Sequence, residues 1–118
     1  MSKELKELIF PEELLDIFEV VSHDKTEKGH VFYLDEKENI PEGYDRSDLE
    51  SKGFKDAVSV IDFPLRGKPV EHRLRRRKWL VKAEGKIISK RYKIYANGTR
   101  KTEEFAAFLK ELNRYYTS

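Results

Sequence analysis

The sequence contains no cysteine. Disulfide bonds, thiolate zinc sites and cysteine nucleophiles are therefore excluded, and this composition fits a reducing cytosol. No uninterrupted apolar run approaches the roughly 18 residues that a membrane-spanning helix needs, and residues 1–5 lack the apolar core of a signal peptide. We therefore expect a cytoplasmic protein without a membrane-spanning segment.

Signatures of catalysis are missing as well. The sequence has no G-x-S-x-G, no P-loop and no G-x-G-x-x-G, and its 6 glycines are isolated in turn-like positions. Acidic residues are abundant in the first half, so pairs of carboxylates arise there by chance. We expect no enzymatic activity, no catalytic residue and no cofactor.

Histidine is scarce, with His23, His30 and His72 as the 3 examples. The first two lie near a predicted hairpin turn and could face each other across it. A metal site there would still need oxygen donors such as Asp24 or Glu27, and its ligands would come from a loop. We therefore expect surface histidines and no metal.

The chain is long enough for one domain, residues 1–118, whose core depends on aromatic side chains. Only 38% of its 118 residues are hydrophobic, but they include 7 Phe, 6 Tyr and 1 Trp, whereas 39% are charged. Residues 1–56 hold 8 Lys/Arg and 16 Asp/Glu, and residues 57–118 hold 16 Lys/Arg and 6 Asp/Glu. An acidic subregion therefore precedes a basic one, and a basic surface attracts polyanions such as DNA.

Local patterns predict an α+β fold. Apolar residues at helical spacing before and after Pro11 indicate two short N-terminal helices, or one helix kinked at that proline. Residues 18–34 read as an antiparallel β-hairpin, and residues 35–54 as a long polar loop that joins the acidic and basic halves. Residues 58–63, 70–82 and 86–96 then form an antiparallel β-meander with a tight turn at Glu84 and Gly85.

The C-terminal segment carries the clearest helical pattern. Thr102 is a plausible helix cap, and Phe105, Phe108, Leu109 and Leu112 follow at i, i+3, i+4 and i+7 spacing. We predict an amphipathic helix over residues 102–116 that packs on the sheet.

A ribbon of cations is the strongest candidate site. On one extended strand Arg73, Arg75 and Arg77 would share a face with Trp79, while Arg76 and Lys78 would lie on the other face with His72. The next strand adds Lys86, Lys90, Arg91 and Lys93. A cationic two-stranded ribbon suits contact with a DNA backbone or a major groove. The alternative is an ordinary solvated edge whose cations discourage aggregation.

Aromatic residues interleave with these cations. Trp79, Tyr92 and Tyr95 are candidates for stacking on unpaired bases. Packing into the core is the alternative, and for Trp79 it is the favoured one.

Several segments, in chain order, are similar to one family. They are residues 8–12, 15–22, 50–54, 61–68, 75–79, 98–102 and 104–111. They resemble the small N-terminal region proteins encoded beside insertion-sequence transposases of an ISL-type family in Bacteroidetes-type bacteria. A related segment in the larger transposase group looks like a zinc ribbon, but its thiolate positions are absent here. The resemblance therefore implies a cysteine-free version of that module, with packing by Trp79, Leu80, Ile88 and Tyr92 in place of the metal.

The resemblance also implies partners. Strand transfer in this family resides in a separate DDE catalytic domain, for which the present chain is too short. The expected function is a transposase accessory module that binds DNA at element ends or non-specifically, near the nucleoid. The rival function is a protein-interaction module that docks on the catalytic DDE subunit or on itself, with the acidic half and residues 102–116 as its surface.

Overall fold

A computed structural model of the chain describes residues 2–92, which begin with two short helices. The first, α1, spans Lys3–Ile9, and its N-cap Ser2 accepts a hydrogen bond from the backbone N–H of Leu5 at 3.2 Å. The second, α2, spans Glu12–Ile17 directly after Pro11. The prediction of two short helices around this proline is confirmed.

A β-hairpin follows, as predicted. Strand β1 (Phe18–Thr26) pairs antiparallel with β2 (Gly29–Glu36). Gly29 has a φ of 147°, and a Cβ at this position would lie 2.4 Å from the carbonyl oxygen of Pro69. Glycine at this position therefore allows the start of β2 to approach the backbone at Pro69 closely.

Two further strands complete the first sheet. Strand β4 (Val58–Leu65) pairs antiparallel with β5 (Lys68–Arg75), and β5 pairs parallel with β2. The resulting strand order is β1-β2-β5-β4. A parallel pair inside this sheet was not predicted, because it joins residues about 40 positions apart through no local signal.

A second, three-stranded sheet adjoins the first. It consists of β3 (Leu49–Phe54), β6 (Arg77–Val81) and β7 (Lys86–Ile88), in the order β3-β6-β7 with antiparallel pairing. A 3₁₀ helix over Arg46–Asp48 leads into β3. The predicted single strand over residues 70–82 is wrong, since Arg76 separates β5 from β6 and the chain passes from one sheet to the other there.

Each sheet has its own apolar core. The larger core lies under the helices and the first sheet, and its buried members are Phe10, Leu14, Phe18, Phe32, Leu34, Val58, Val60, Val70 and Leu74. The smaller core contains Leu49, Trp79 and Val81. Burial of one such side chain contributes roughly 1.5–3 kcal/mol to folding, so the three-residue core is the weaker of the two.

The predicted α+β class with an antiparallel meander is wrong for this structure, which is mostly β, with 52% strand and 18% helix. One reason is the segment 35–54, whose polar composition favoured a loop although its last residues form β3. That strand exists because β6 supplies its hydrogen-bonding partner, which is a tertiary effect. The predicted helix over residues 102–116 lies outside the described residues. None of the helices within residues 2–92 has the length and apolar character needed to cross a membrane.

Candidate nucleic-acid interface

The arginines of β5 lie on the outer face of the first sheet, where acidic residues meet them. Arg75 donates two hydrogen bonds to the carboxylate of Asp35, each 2.7 Å long, because the parallel register of β2 and β5 sets the two residues side by side. The hydrogen bonds to Asp35 raise the pKa of Arg75. Arg73 donates to Glu71 at 3.1 Å, and its guanidinium lies 5.6 Å from the ring of Tyr33. Both arginines are exposed, but each is already engaged by an acid.

Arg77 is held by Glu36, the last residue of β2. The Glu36 side chain is fully buried and accepts a hydrogen bond from the backbone N–H of Arg77 at 2.8 Å. The Nε of Arg77 donates to the Glu36 carbonyl oxygen, also at 2.8 Å. The hydroxyl of Tyr92 donates to the same Glu36 carboxylate. Burial raises the pKa of Glu36, although these hydrogen bonds and the neighbouring arginines act in the opposite direction.

The segment after Arg77 contains few acids of its own. Residues 78–92 contain 5 Lys/Arg and a single acid, Glu84. Lys86 pairs with Glu84 at 2.8 Å, and this contact raises the pKa of Lys86. Lys90 donates to the carbonyl oxygen of Ile40 at 2.7 Å, and Lys78 is half-buried on β6. The hairpin turn at residues 82–85 confirms the predicted tight turn.

Arg76 and Arg91 converge with a third cation that sequence analysis missed. Arg76 is 2% exposed, and it lines an open pocket of about 360 Å³ together with Arg91 and Lys55. Lys55 reaches this position because its backbone N–H donates to the Arg76 carbonyl oxygen at 2.8 Å, next to the β3–β6 ladder. No local pattern around Lys55 indicates this pairing, because it depends on the register of β3 with β6.

Of the aromatic candidates, the structure describes Trp79 and Tyr92. Trp79 is fully buried and packs with Leu49 and Val81, in agreement with the favoured expectation of core packing. Ile88 packs against that small core, whereas Tyr92 packs against the larger one. Tyr95 and Lys93 lie outside the described residues.

The histidines take two arrangements. His23 is exposed and His30 is partly exposed, and their facing ring nitrogens, Nε2 and Nδ1, lie 2.9 Å apart. Partial desolvation and the proximity of His23 lower the pKa of His30. His72, in contrast, is buried with its Nε2 2.7 Å from a carboxylate oxygen of Asp62, so the expectation of three surface histidines is wrong for it. Within residues 2–92 no cluster of three or more histidine or acidic side chains is placed to hold a metal ion.

Comparisons of the chain with protein families, with curated proteins and with solved structures found no match.

Proposed function

We propose that this protein is a non-enzymatic accessory module of a transposase that binds DNA through the β6–β7 hairpin. The observation that carries the proposal is the contrast in charge compensation. Asp35, Glu36 and Glu71 engage Arg75, Arg77 and Arg73, whereas residues 78–92 hold 5 cations against one acid of that segment, Glu84. Positive charge that the fold itself does not neutralise is available to phosphates.

The shape of this region suits a duplex. A two-stranded antiparallel ribbon fits along a phosphate backbone or into a major groove. Lys78 and Lys86 are the side chains of the hairpin that we expect at phosphates, since Lys86 is exposed and Lys78 is partly so. Contacts of this kind position a protein on DNA without reading its sequence.

The transposase part of the proposal comes from the sequence resemblance. Under it, the catalytic steps belong to a DDE subunit encoded nearby, and the present chain contributes affinity for DNA. The protein would then act in the cytoplasm in association with the nucleoid.

A salt titration of DNA binding tests this function. Fluorescence anisotropy with a labelled duplex of about 20 base pairs is measured over a range of KCl concentrations. If about four phosphates are engaged, log K falls with log salt at a slope of about −3.6, from about −0.9 per phosphate. A protein that binds no duplex even at low salt would refute the proposal.

A second candidate function is docking on the catalytic subunit or on a second copy of this chain, and one observation favours it. Ile61 and Phe63 are 71% and 74% exposed on β4, which is at the edge of the first sheet as described. Exposed apolar side chains on an edge strand are typical of a surface that pairs with another chain.

Co-purification after nuclease treatment separates the two functions. Docking through β4 predicts that the catalytic subunit stays bound without DNA, and that Ile61→Thr with Phe63→Thr releases it. Ser59→Thr is the matched control, since Ser59 is an exposed position on the same strand. Loss of the complex on nuclease treatment would favour a DNA-mediated association instead.

A further inference from the structure

Two hairpin turns lie side by side at one end of the first sheet. The β1–β2 hairpin turns at residues 27–28, and the β4–β5 hairpin turns at residues 66–67. Because β2 and β5 are parallel neighbours that pair from near their first residues, both turns lie at the same end of the sheet. The Nζ of Lys68 donates to the carbonyl oxygen of Glu27 at 3.4 Å, and this hydrogen bond joins one turn to the other.

These turns give that end of the sheet a positive charge. Residues 25–28 and 65–68 together contain four cations and one acid, Glu27, a formal balance of +3. All four cations are exposed. We call them the turn cluster, and they are Lys25, Lys28, Arg66 and Lys68.

The fold supplies the turn cluster with no counter-charge. None of the ion pairs within residues 2–92 includes one of its four cations, and the partner of Lys68 is a neutral carbonyl oxygen. The acids that flank the two segments in sequence are each engaged by another side chain, Asp24 by Tyr33, Asp62 by His72 and Glu71 by Arg73. The positive charge of the turn cluster is therefore open to a ligand from solution.

His30 on β2 lies close enough to the turn cluster to respond to its charge. Partial desolvation and His23 lower the pKa of His30, and so do Lys25 and Lys68, which come from different turns. A bound anion offsets repulsion of this kind, because it favours the charged form of the imidazole. His30 is thus a probe for an anion at the turn cluster.

A nucleic-acid backbone suits the turn cluster better than a lipid surface does. Neighbouring strands lie about 4.8 Å apart, so the ends of the four strands spread over about 14 Å. This is close to the width of the DNA major groove, about 12 Å. Residues 26–28 and 66–68 contain no apolar side chain that would enter a bilayer, and binding at a membrane surface depends on buried apolar area as well as on charge.

We infer that the turn cluster is a second contact site for DNA phosphates, separate from the β6–β7 hairpin. The inference deepens the proposed function and rests on it. Strand β5, which links the turns to β6, is eight residues long, and seven rises of about 3.3 Å give it a length of about 23 Å. Variants at one site therefore leave the phosphate contacts of the other site in place.

Lys28→Gln with Arg66→Gln tests the turn cluster, because both side chains are exposed at the tips of the turns. Duplex binding to the full chain is measured by anisotropy over a range of KCl concentrations. We expect the magnitude of the log–log slope to fall by about 1.8, from about 0.9 per phosphate. Lys37→Gln with Lys52→Gln is the matched control, since it removes the same charge from exposed positions after the end of β2 and on β3, and it should leave the slope unchanged.

The pKa of His30 gives a second readout, specific to this end of the sheet. NMR of the ring protons follows the titration of His30 with and without the duplex. Phosphates beside Lys25 and Lys68 offset their repulsion of the imidazolium, so the pKa of His30 should rise on binding. The rise should be smaller in the turn variant and unchanged in the control.

The outcomes separate this inference from the proposed function. A reduced slope in the turn variant alone, with a rise in the pKa of His30 on binding, supports the inference. Equal slopes in the turn variant and the control, with no change at His30, overturn it and leave the proposed function standing. A slope that depends on the turns but not on Lys78 and Lys86 supports the turn cluster and overturns the assignment of the hairpin. Binding to vesicles of phosphatidylcholine and phosphatidylserine, without binding to the duplex, overturns both.

Discussion

The outer face of β5 and the segment that follows Arg77 both carry cations, but the fold pairs these cations with acids to different extents. On β5 each arginine has an acidic neighbour, Asp35 for Arg75 and Glu71 for Arg73. Residues 78–92 hold five cations and a single acid, Glu84, which pairs with Lys86. The number of cations along a sequence therefore does not determine the positive charge of the surface that they form. Acidic residues on neighbouring strands pair with some of these cations and neutralise part of the charge.

The acidic first half thus acts in part as an internal counter-charge to the basic second half. Glu36 and Asp35 end β2 at the level where β5 passes into β6, so two arginines meet carboxylates from the other half of the chain. The fold thus has a region in which arginines are paired with acids and a cationic region, to which the proposed function assigns DNA binding. The predictions below test that division, starting with the largest expected effect.

Removing the buried carboxylate of Glu36 should destabilise the fold most. Glu36→Ala leaves the Arg77 backbone N–H and the Tyr92 hydroxyl without their acceptor, and it removes a negative charge near buried Arg76. Breaking a buried charge network in this way costs about 3–5 kcal/mol. Urea denaturation measures this loss in the free energy of unfolding. Glu38→Ala, at an exposed acid 4.0 Å from Arg46, is the control and should change the free energy of unfolding by less than about 0.5 kcal/mol.

A smaller effect with a defined pH dependence is expected at Asp62. Burial opposes ionisation of Asp62, but hydrogen bonds involving His72 and the Phe63 N–H outweigh it and lower the pKa below its usual 3.8. The folded state therefore binds fewer protons than the unfolded state in this range, so the stabilisation is complete above pH 3.8 and is lost as the pH falls through the folded pKa.

Asp62→Asn should consequently lower stability by about 1–2 kcal/mol at neutral pH and flatten the loss of stability at acidic pH. Thermal unfolding followed from pH 2.5 to pH 7 gives both quantities. If the variant lost stability at acidic pH as steeply as the original protein does, groups other than Asp62 would cause the acid dependence of stability.

The Arg75–Asp35 pair allows the strength of one ion pair on β5 to be compared with that of an ordinary surface pair. A double-mutant cycle with Arg75→Ala and Asp35→Ala should give a coupling energy of about 1 kcal/mol, a value limited because the Arg75 side chain is 47% exposed. The same cycle on the exposed pair Lys52 and Glu50 should give less than about 0.5 kcal/mol. Equal coupling in the two cycles would mean that the cations of β5 are no more tied to the fold than ordinary surface charges.

Local signals in the sequence predicted the parts of the fold that depend on neighbouring residues. The helices on either side of Pro11, the β1–β2 hairpin and the turn at Glu84 and Gly85 all follow from residues that are close in the chain. The parallel pairing of β2 with β5, and the strand β3 inside a polar segment, depend on partners far away in sequence. Patterns of hydrophobicity do not encode which strand pairs with which.

The candidate site was predictable to a similar extent. The pattern of cations in the sequence identified Arg73 and Arg75 of β5, the basic residues of β6 and β7, and also Arg76 and Arg91, which line the pocket. It did not reveal that Asp35 and Glu36 neutralise part of this set, nor that Lys55 joins the pocket, because both depend on strand register. Which of the cations are paired with acids is thus a property of the fold.

The most direct test of this division compares two double variants that remove the same charge. Arg73→Gln with Arg75→Gln, and Lys78→Gln with Lys86→Gln, each lower the net charge by two, so long-range attraction to DNA falls equally. The salt dependence of duplex binding then separates them. We predict that the lysine variant reduces the magnitude of the log–log slope by about 1.8, from about 0.9 per phosphate, while the arginine variant leaves the slope unchanged. A reduced slope in the arginine variant, with an unchanged slope in the lysine variant, would contradict the account.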